Sequence, residues 1–431
     1  MQQCTPDGYP LATAKRNNSE WRRVKPKLIH GLRRNLIALL LVVAIGAAMI
    51  HVVTEWRRSQ LGAGMPAGTV ALTSPSPAAA PTPSALQEAI SLQNDLGAVL
   101  VVSQAGTTIS PTLQQLLVKG RVGGVLLYAP NFKTAAGLKA WTDRLQVLAS
   151  AACLDHPILV MIDEEGGQVN QVRAPFMAPS QQSAGGGGAA KVRALERRAA
   201  AGLRQLGVGL DLAPVADVRT NPKDLVIGDR SFGANPANVA PLVAAAVNGL
   251  HDGGVGATLK HFPGLGGAAG DPHVAIPTDN ESAAQWARVQ MPAFKAGIDA
   301  GADAVMTTAV YVPGLGAGHT PAMFSAPVIN RLRTQLGFQG VVVTDSLSMG
   351  GISARYSLPQ AAVLALAAGN DLILLGNGDP QYEGKAMSAI QLAVTQGRLD
   401  RQKLHQAALR VNLLRDKWGL PLTPCVQIPA A

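Results

Sequence analysis

Eight short apolar runs, each followed by a polar loop and an amphipathic stretch, constrain this chain more than any other feature. They lie near Val99–Val102, Val125–Tyr128, Ile158–Ile162, Val208–Leu212, Ala257–Lys260, Ala304–Thr308, Val341–Thr344 and Leu372–Leu375. Their hydrophobicity is continuous rather than alternating, which marks strands buried on both faces, as in a parallel sheet. Helical stretches such as Trp286–Ala300 and Gln402–Lys417 fill the gaps. Eight β-then-α units predict an α/β fold, a closed (β/α)8 barrel of the TIM type. An open doubly wound sheet is the rival. It usually carries a Gly-rich nucleotide turn after its first strand, and here that position reads SQAG.

The chain is longer than such a barrel needs. Residues 36–53 read LIALLLVVAIGAAMIHVV, without a formal charge. At ~1.5 Å per residue this run just spans a ~30 Å hydrocarbon core. Eight Lys/Arg precede it and two follow closely. The positive-inside rule then puts the N-terminus in the cytoplasm and the body outside the cell membrane. We expect an uncleaved single-pass signal anchor. A cleaved signal peptide is the rival, weakened by a long n-region and by a poor cleavage site deep in the run.

The formal net charge is +10, but residues 1–60 hold ten Lys/Arg against three Asp/Glu, leaving +3 for the rest. No basic stripe interleaved with aromatics remains, so no nucleic-acid partner is expected. Residues Gly62–Ser84 are rich in Pro, Ala, Ser, Thr and Gly and predict an extended tether. The expected organisation is a basic cytoplasmic segment (1–35), a transmembrane helix (36–53), a linker (54–85), a barrel (86–420) and a tail (421–431). Cys153 and Cys425 both fall beyond the membrane, where disulfides persist. A bridge between them and two buried thiols are both open. No His/Cys cluster has metal-ligand spacing, and neither a metal nor a cofactor is expected. The tract GGGGAAK (185–191) lacks the Gly before Lys191 and the Ser/Thr after it that a phosphate loop needs, and reads as a flexible loop.

In a (β/α)8 barrel, reactive groups gather where strands end and βα loops begin. Here Asp163, Glu164 and Glu165 follow the third run, and Asp211 closes the fourth. Lys260 and His261 end the fifth, with Asp271 and His273 in the Gly-rich loop beyond, and Asp345 ends the seventh. A single Asp at a strand end is often a structural acceptor. Four strands contributing ionisable groups to one rim is hard to explain as scaffold.

These residues sit in motifs that resemble glycoside hydrolase family 3, in particular its single-domain β-N-acetylglucosaminidases. MIDEEGGQV (161–169) is similar to the family's Asp-x-Glu-Gly-Gly sugar-binding motif. LAPVADV (212–218) and IGDRSFG (227–233) resemble the loop after the fourth strand. LKHFPGLG (259–266) resembles the Lys-His-Phe-Pro-Gly motif, DPH (271–273) the Asp-Ser-His loop, and VVVTDSLSM (341–349) the nucleophile strand. They occur in family order.

The resemblance implies retaining hydrolysis of terminal β-linked N-acetylglucosamine from cell-wall fragments of the muropeptide type. It makes Asp345 the nucleophile and His273, paired with Asp271, the acid/base. Asp163, Arg230, Lys260 and His261 would hold the sugar. A His donor places no second negative charge beside the nucleophile, and a carboxylate on one ring nitrogen fixes its tautomer. A glycan substrate, the membrane as the other partner and a monomer are expected. Four positions depart from the family pattern: Gln171 where it has Arg, Leu265 and Ala309 where it has His, and Pro272 where it has a small hydroxyl residue. They motivate a rival of another class, a cell-wall glycan-binding protein that has lost turnover. Within enzymes, a broader β-glycosidase and a phosphorylase are alternatives. Met349 reads as packing.

Overall fold

Why the apolar runs become a barrel is visible in their alternation. Every second residue, including Val101, Leu126, Leu159, Met161, Leu210, Met306, Val343 and Leu374, belongs to one buried cluster, which fills the barrel. Their neighbours, such as Val102, Val125, Val160, Ile162, Val305 and Val342, join a second cluster that packs against the helices. With both faces covered, an all-parallel sheet leaves no apolar face in water.

The computed structural model describes residues 83–172, 178–224, 226–376 and 378–423. In chain order the elements are α1 (Pro83–Ala98), β1 (Leu100–Val102), α2 (Pro111–Val118), β2 (Gly124–Leu126), α3 (Ala135–Ala151) and β3 (Leu159–Ile162). A small antiparallel hairpin, β4 (Glu164–Gly166) and β5 (Val169–Asn170), follows. Then come α4 (Gln181–Gly185), α5 (Gly188–Gln205), β6 (Leu210–Asp211), α6 (Pro236–Asp252), β7 (Gly256–Phe262), α7 (Ala283–Val289), α8 (Met291–Asp299) and β8 (Ala304–Thr307). The chain continues through α9 (Ala326–Thr334), β9 (Val341–Thr344), α10 (Gly350–Ser353), α11 (Leu358–Ala368), β10 (Ile373–Leu374), α12 (Tyr382–Thr395) and α13 (Arg401–Trp418).

Eight parallel strands run in the order β10-β1-β2-β3-β6-β7-β8-β9. The two ends of this sheet meet at a parallel bridge between Val343 and Leu372, so the sheet curls into a barrel of the TIM type. Each of the eight runs read from the sequence contains one barrel strand, shorter than the run at β6 and β10 and longer at β7.

Two expectations need correction. The stretch Trp286–Ala300 is not one helix but two, α7 and α8, meeting at Gln290. Pro292 has no N–H to continue the ladder. The Gln290 side chain is buried instead and bonds both the N–H and the C=O of Val218, tying the break to the loop after β6. The GGGGAAK tract is not a loop either. It closes α4 and opens α5, and Gly188 turns between them at a φ of +79°, which glycine reaches without a Cβ penalty.

The apolar run 36–53, the segment before it, the linker up to residue 82, Arg173 and Cys425 lie outside the described residues. Among the described residues no helix is long and apolar enough to cross a membrane. Helix α1 starts at Pro83, inside the expected linker; proline's fixed φ suits a first helical turn. Cys153, just past α3, has a φ of +53° and is disulfide-bonded.

The floor of the barrel is made by α13, whose Val411, Leu414 and Trp418 join the inner cluster. Gly256, at the start of β7, lets Trp418 in: a Cβ there would lie 2.8 Å from the indole and 2.9 Å from Leu210. We expect Gly256→Val to overpack this floor and cost about 1–3 kcal/mol of stability, read as a lowered urea midpoint. An unchanged midpoint would show that the indole is not held there.

Candidate active site

The C-terminal ends of the strands surround a cavity of about 260 Å³. Asp345 lies in its wall, directly after β9. The Asp345 N–H donates to the Thr307 carbonyl at 2.7 Å, extending the ladder between β8 and β9 by one residue. Its carboxylate is held at both oxygens: Thr308 Oγ1 donates to Oδ2 at 2.8 Å, and the Ser346 N–H to Oδ1 at 2.8 Å. Such a carboxylate is fixed in orientation and ionised when it accepts both bonds.

Across the cavity, charged groups interlock. Lys260 Nζ reaches Asp163 Oδ1 at 2.7 Å and Glu165 Oε1 at 2.6 Å. Arg230 grips Glu165 with two bonds, Nε to Oε2 at 2.6 Å and Nη2 to Oε1 at 2.7 Å. Arg230 Nη2 also donates to His261 Nε2 at 3.3 Å. A guanidinium can only donate, so Nε2 accepts and the proton of this imidazole sits on Nδ1, pointing at Asp217 Oδ2 2.7 Å away. Asp217 also takes the Leu265 N–H at 2.7 Å. The β7–β8 register shifts between Leu259 and Phe262, and the consecutive Lys260 and His261 both line the cavity. Such irregularities re-aim side chains beside sites.

The electrostatics follow from burial and pairing. Burial pushes the Glu165 carboxyl up, but Lys260 and the Arg230 bonds outweigh it and hold it at about 2, against an ordinary 4.5. Burial alone would lower Lys260, yet Asp163 and Glu165 keep it charged well above its ordinary value. Tyr128, also in the wall, is pushed above its ordinary value by burial and by Asp163 and Asp345. Its hydroxyl therefore keeps its proton and can donate.

His273 lines the same cavity from the loop after β7. Its Nδ1 is 2.8 Å from Asp271 Oδ1, which also accepts the His273 N–H at 2.8 Å. The ring remains two-thirds exposed, at 66%. This loop rests on the turn after Asp345. The Gly351 N–H donates to the Pro272 carbonyl at 3.0 Å, and a Cβ at Gly350 would sit 2.2 Å from the His273 carbonyl oxygen.

The cavity thus brings together Asp163, Arg230, Lys260, His261, His273 and Asp345, with Asp271 behind His273. Gln171, Leu265 and Pro272 also line it, whereas Ala309 and Met349 are buried away from it. Gln171 does not hang free: its Oε1 accepts the Ala129 N–H at 2.8 Å. Sequence reasoning names Glu165 only as one of three acids after the third strand, and it does not single out Asp217, Tyr128 or Thr308. For Glu165 the signal is its place in MIDEEGG; for the other three no local pattern separates them from scaffold. Among the described residues no group of three or more His, Cys, Asp or Glu is arranged to hold a metal ion.

Behind the site lie three buried acids. Burial raises Glu164 to about 7, only partly offset by the N–H groups of Val172 and Gln171, which it accepts at 2.9 and 2.8 Å. Burial, then Glu164, raises Glu196 to about 8, and burial raises Asp211 well above its ordinary value. A carboxyl whose folded pKa is raised holds its proton more tightly when folded. Its stabilisation is complete below its ordinary value and drains as pH rises through the folded value. Glu165 works the other way, stabilising above its ordinary value and losing that only as pH falls toward 2. We expect the unfolding free energy in urea to fall from about pH 5 to about pH 8, and Glu196→Gln to flatten that fall. A variant with the wild-type slope would remove Glu196 from the account.

Comparison with known proteins agrees with this geometry. The profile for the Glycosyl hydrolase family 3 N terminal domain matches residues 91–414. A β-hexosaminidase of Methylobacillus flagellatus is 37% identical over 265 residues, 59% of this chain and 74% of that protein. The β-hexosaminidase LpqI of Mycobacterium tuberculosis is 33% identical over 354 residues, 79% of this chain and 87% of that protein. Among solved structures, a family 3 β-N-acetylglucosaminidase from Paenibacillus sp. superposes with a TM-score of 0.73 at 32% identity, covering 78% of this chain and 65% of that one. A β-N-acetylhexosaminidase from Beutenbergia cavernae does so with 0.70 at 30%, covering 75% and 98%. A match along most of the barrel, in a chain whose loop residues converge on one cavity, leaves a single assignment: this chain belongs to glycosyl hydrolase family 3.

Proposed function

We propose that the chain is a β-N-acetylhexosaminidase that removes terminal β-linked N-acetylglucosamine from muropeptide-type fragments with retention of configuration. One observation carries the reading. A doubly held carboxylate, Asp345, and a carboxylate-backed imidazole, His273, line one cavity with a network of sugar-binding character. Retaining hydrolysis needs a nucleophile on one face of the anomeric carbon and a proton donor toward the leaving oxygen.

In this reading, Asp345 attacks C1 as the glycosidic C–O bond breaks. The His273 imidazolium, with Nδ1–H on Asp271, gives its Nε2 proton to the departing oxygen. The now neutral Nε2 takes a proton from water, whose oxygen attacks C1 and frees Asp345. Asp163, Lys260, Arg230 and His261 present acceptors and donors to ring hydroxyls, and Tyr128 a further donor. Hydrolysis of a chromogenic β-N-acetylglucosaminide by the full chain, with the first-formed anomer read by proton NMR, tests the reading. Release of the β-anomer is expected. Release of the α-anomer, or sugar binding without release, overturns it; a sugar 1-phosphate formed only with phosphate points to a phosphorylase.

We also propose that residues 36–53 anchor the chain in the cell membrane with the barrel on the outer side. The uncharged run and the excess of Lys/Arg before it support this. Carbonate-resistant pelleting together with protease access to the barrel in intact cells checks it.

A further inference from the structure

The cavity beside Asp345 has room for one sugar ring, but it is not closed on all sides. Gln171 forms part of its wall and also part of the wall of a neighbouring cavity of about 520 Å³ over the loop after β2. Phe132, Lys133 and Thr134 line that cavity and in turn a third, of about 550 Å³, which runs between the loop after β1 and helix α3 to Arg144. The path is continuous with the site and keeps to the rim where the βα loops gather. From Thr134, the N-cap of α3, to Arg144 it follows about 15 Å of helix, at ~1.5 Å per residue.

Its chemistry is one-sided. No Asp or Glu lines either outer cavity. Lys133 and Arg144 are exposed, and neither has a hydrogen bond or ion pair among the described residues. The one acid on α3, Asp143, is already held by Lys139 through contacts of 2.5 and 2.7 Å. Between the cations lie the rings of Phe132 and Trp141, the indole fixed by its N–H bond to the Thr107 carbonyl at 2.9 Å. Two unpaired cations flanking aromatic surface fit an elongated ligand that carries negative charge along an otherwise amphipathic body.

We propose that this groove is the subsite for the leaving group and that it selects a leaving-group sugar carrying a short acidic peptide, whose carboxylates Lys133 and Arg144 engage. The inference rests on the glycosidase reading above, because a terminal sugar seated against Asp345 has only its leaving group to send outward. The peptide, rather than an acid on the second sugar itself, is the occupant because Arg144 lies two cavities away from Asp345.

The full chain is assayed on three substrates: a chromogenic β-N-acetylglucosaminide, a β-N-acetylglucosaminyl disaccharide with a carboxylate on its second sugar, and the same disaccharide bearing an acidic peptide. Binding of the peptide-bearing disaccharide is measured in parallel by calorimetry. The peptide form is expected to show a kcat/KM about tenfold above the peptide-free form, the sum of two exposed charge pairs, with the preference shrinking as salt rises. The double variant Lys133→Glu/Arg144→Glu is expected to lose that preference through KM while its rate on the chromogenic substrate stays unchanged. Equal kcat/KM with and without peptide, or a double variant that keeps the preference, overturns the groove. A preference for the acidic disaccharide that the peptide does not increase assigns recognition to the second sugar and overturns the peptide as occupant. If the chromogenic substrate is not turned over, the glycosidase reading falls by itself. Calorimetry then decides the groove, which stands if the double variant weakens binding and falls if it does not.

Discussion

Asp345→Gly lowers hydrolysis of a β-N-acetylglucosaminide by at least about 10⁴-fold while the barrel stays folded, the scale on which losing a covalent nucleophile acts. Asp345 follows β9 with its oxygens taken by Thr308 and Ser346, so its loss empties the face from which C1 is attacked. Its backbone bond to Thr307 needs no side chain and survives the change. Sodium azide supplies the missing nucleophile: it attacks C1 from the vacated side, the leaving alcohol departs with the proton from His273, and an α-glycosyl azide accumulates. Rescue without turnover of the azide product is the mark of a lost nucleophile rather than a lost fold. Undiminished hydrolysis by Asp345→Gly would remove this residue from the mechanism.

Lys260→Met is expected to destabilise the folded state by about 3–5 kcal/mol, as removing one partner of a buried ion pair does. Lys260 is only 1% exposed and sits between Asp163 and Glu165, and Glu165 itself is buried. Without the ammonium, Glu165 keeps Arg230 but loses the larger of the influences that hold it ionised. The loss is smaller in the double variant Lys260→Met/Glu165→Gln, because no uncompensated carboxylate remains at that position; the difference is a coupling energy that denaturant titrations of the four proteins give directly. Additive effects would place Glu165 outside the pair. A stable Lys260→Met protein would also raise KM, since Asp163 loses the partner that fixes its orientation.

How much of this was legible in the residues depends on the range of the interaction. Val341–Thr344 reads as a buried strand because four consecutive small or branched residues have no polar partner to hide, and the strand has those bounds. Lys260 stands out because a charged side chain closing an apolar run needs a buried partner. Asp217 does not stand out. It looks like any acid in a Pro-containing loop, and only the fold brings its carboxylate to His261, 44 residues later. Thr308 is similar, since a threonine at a strand end is common and its bond to Asp345 spans 37 residues. The break at Gln290 was hidden for the same reason: an apolar period runs through α7 and α8, and the side chain that interrupts it is tied to Val218, 72 residues away.

The seat of His273 on Gly350 and Gly351 carries a consequence for swapping parts between relatives. The segment that brings the proton and the turn that follows the nucleophile share a surface with no slack, since even a methyl group on Gly350 would strike the His273 carbonyl. A chimaera that imports a foreign segment around residue 273 must import the matching turn around residue 350 with it. Libraries that randomise either alone will mostly return misaligned chemistry, and the two segments are best inherited as a single cassette.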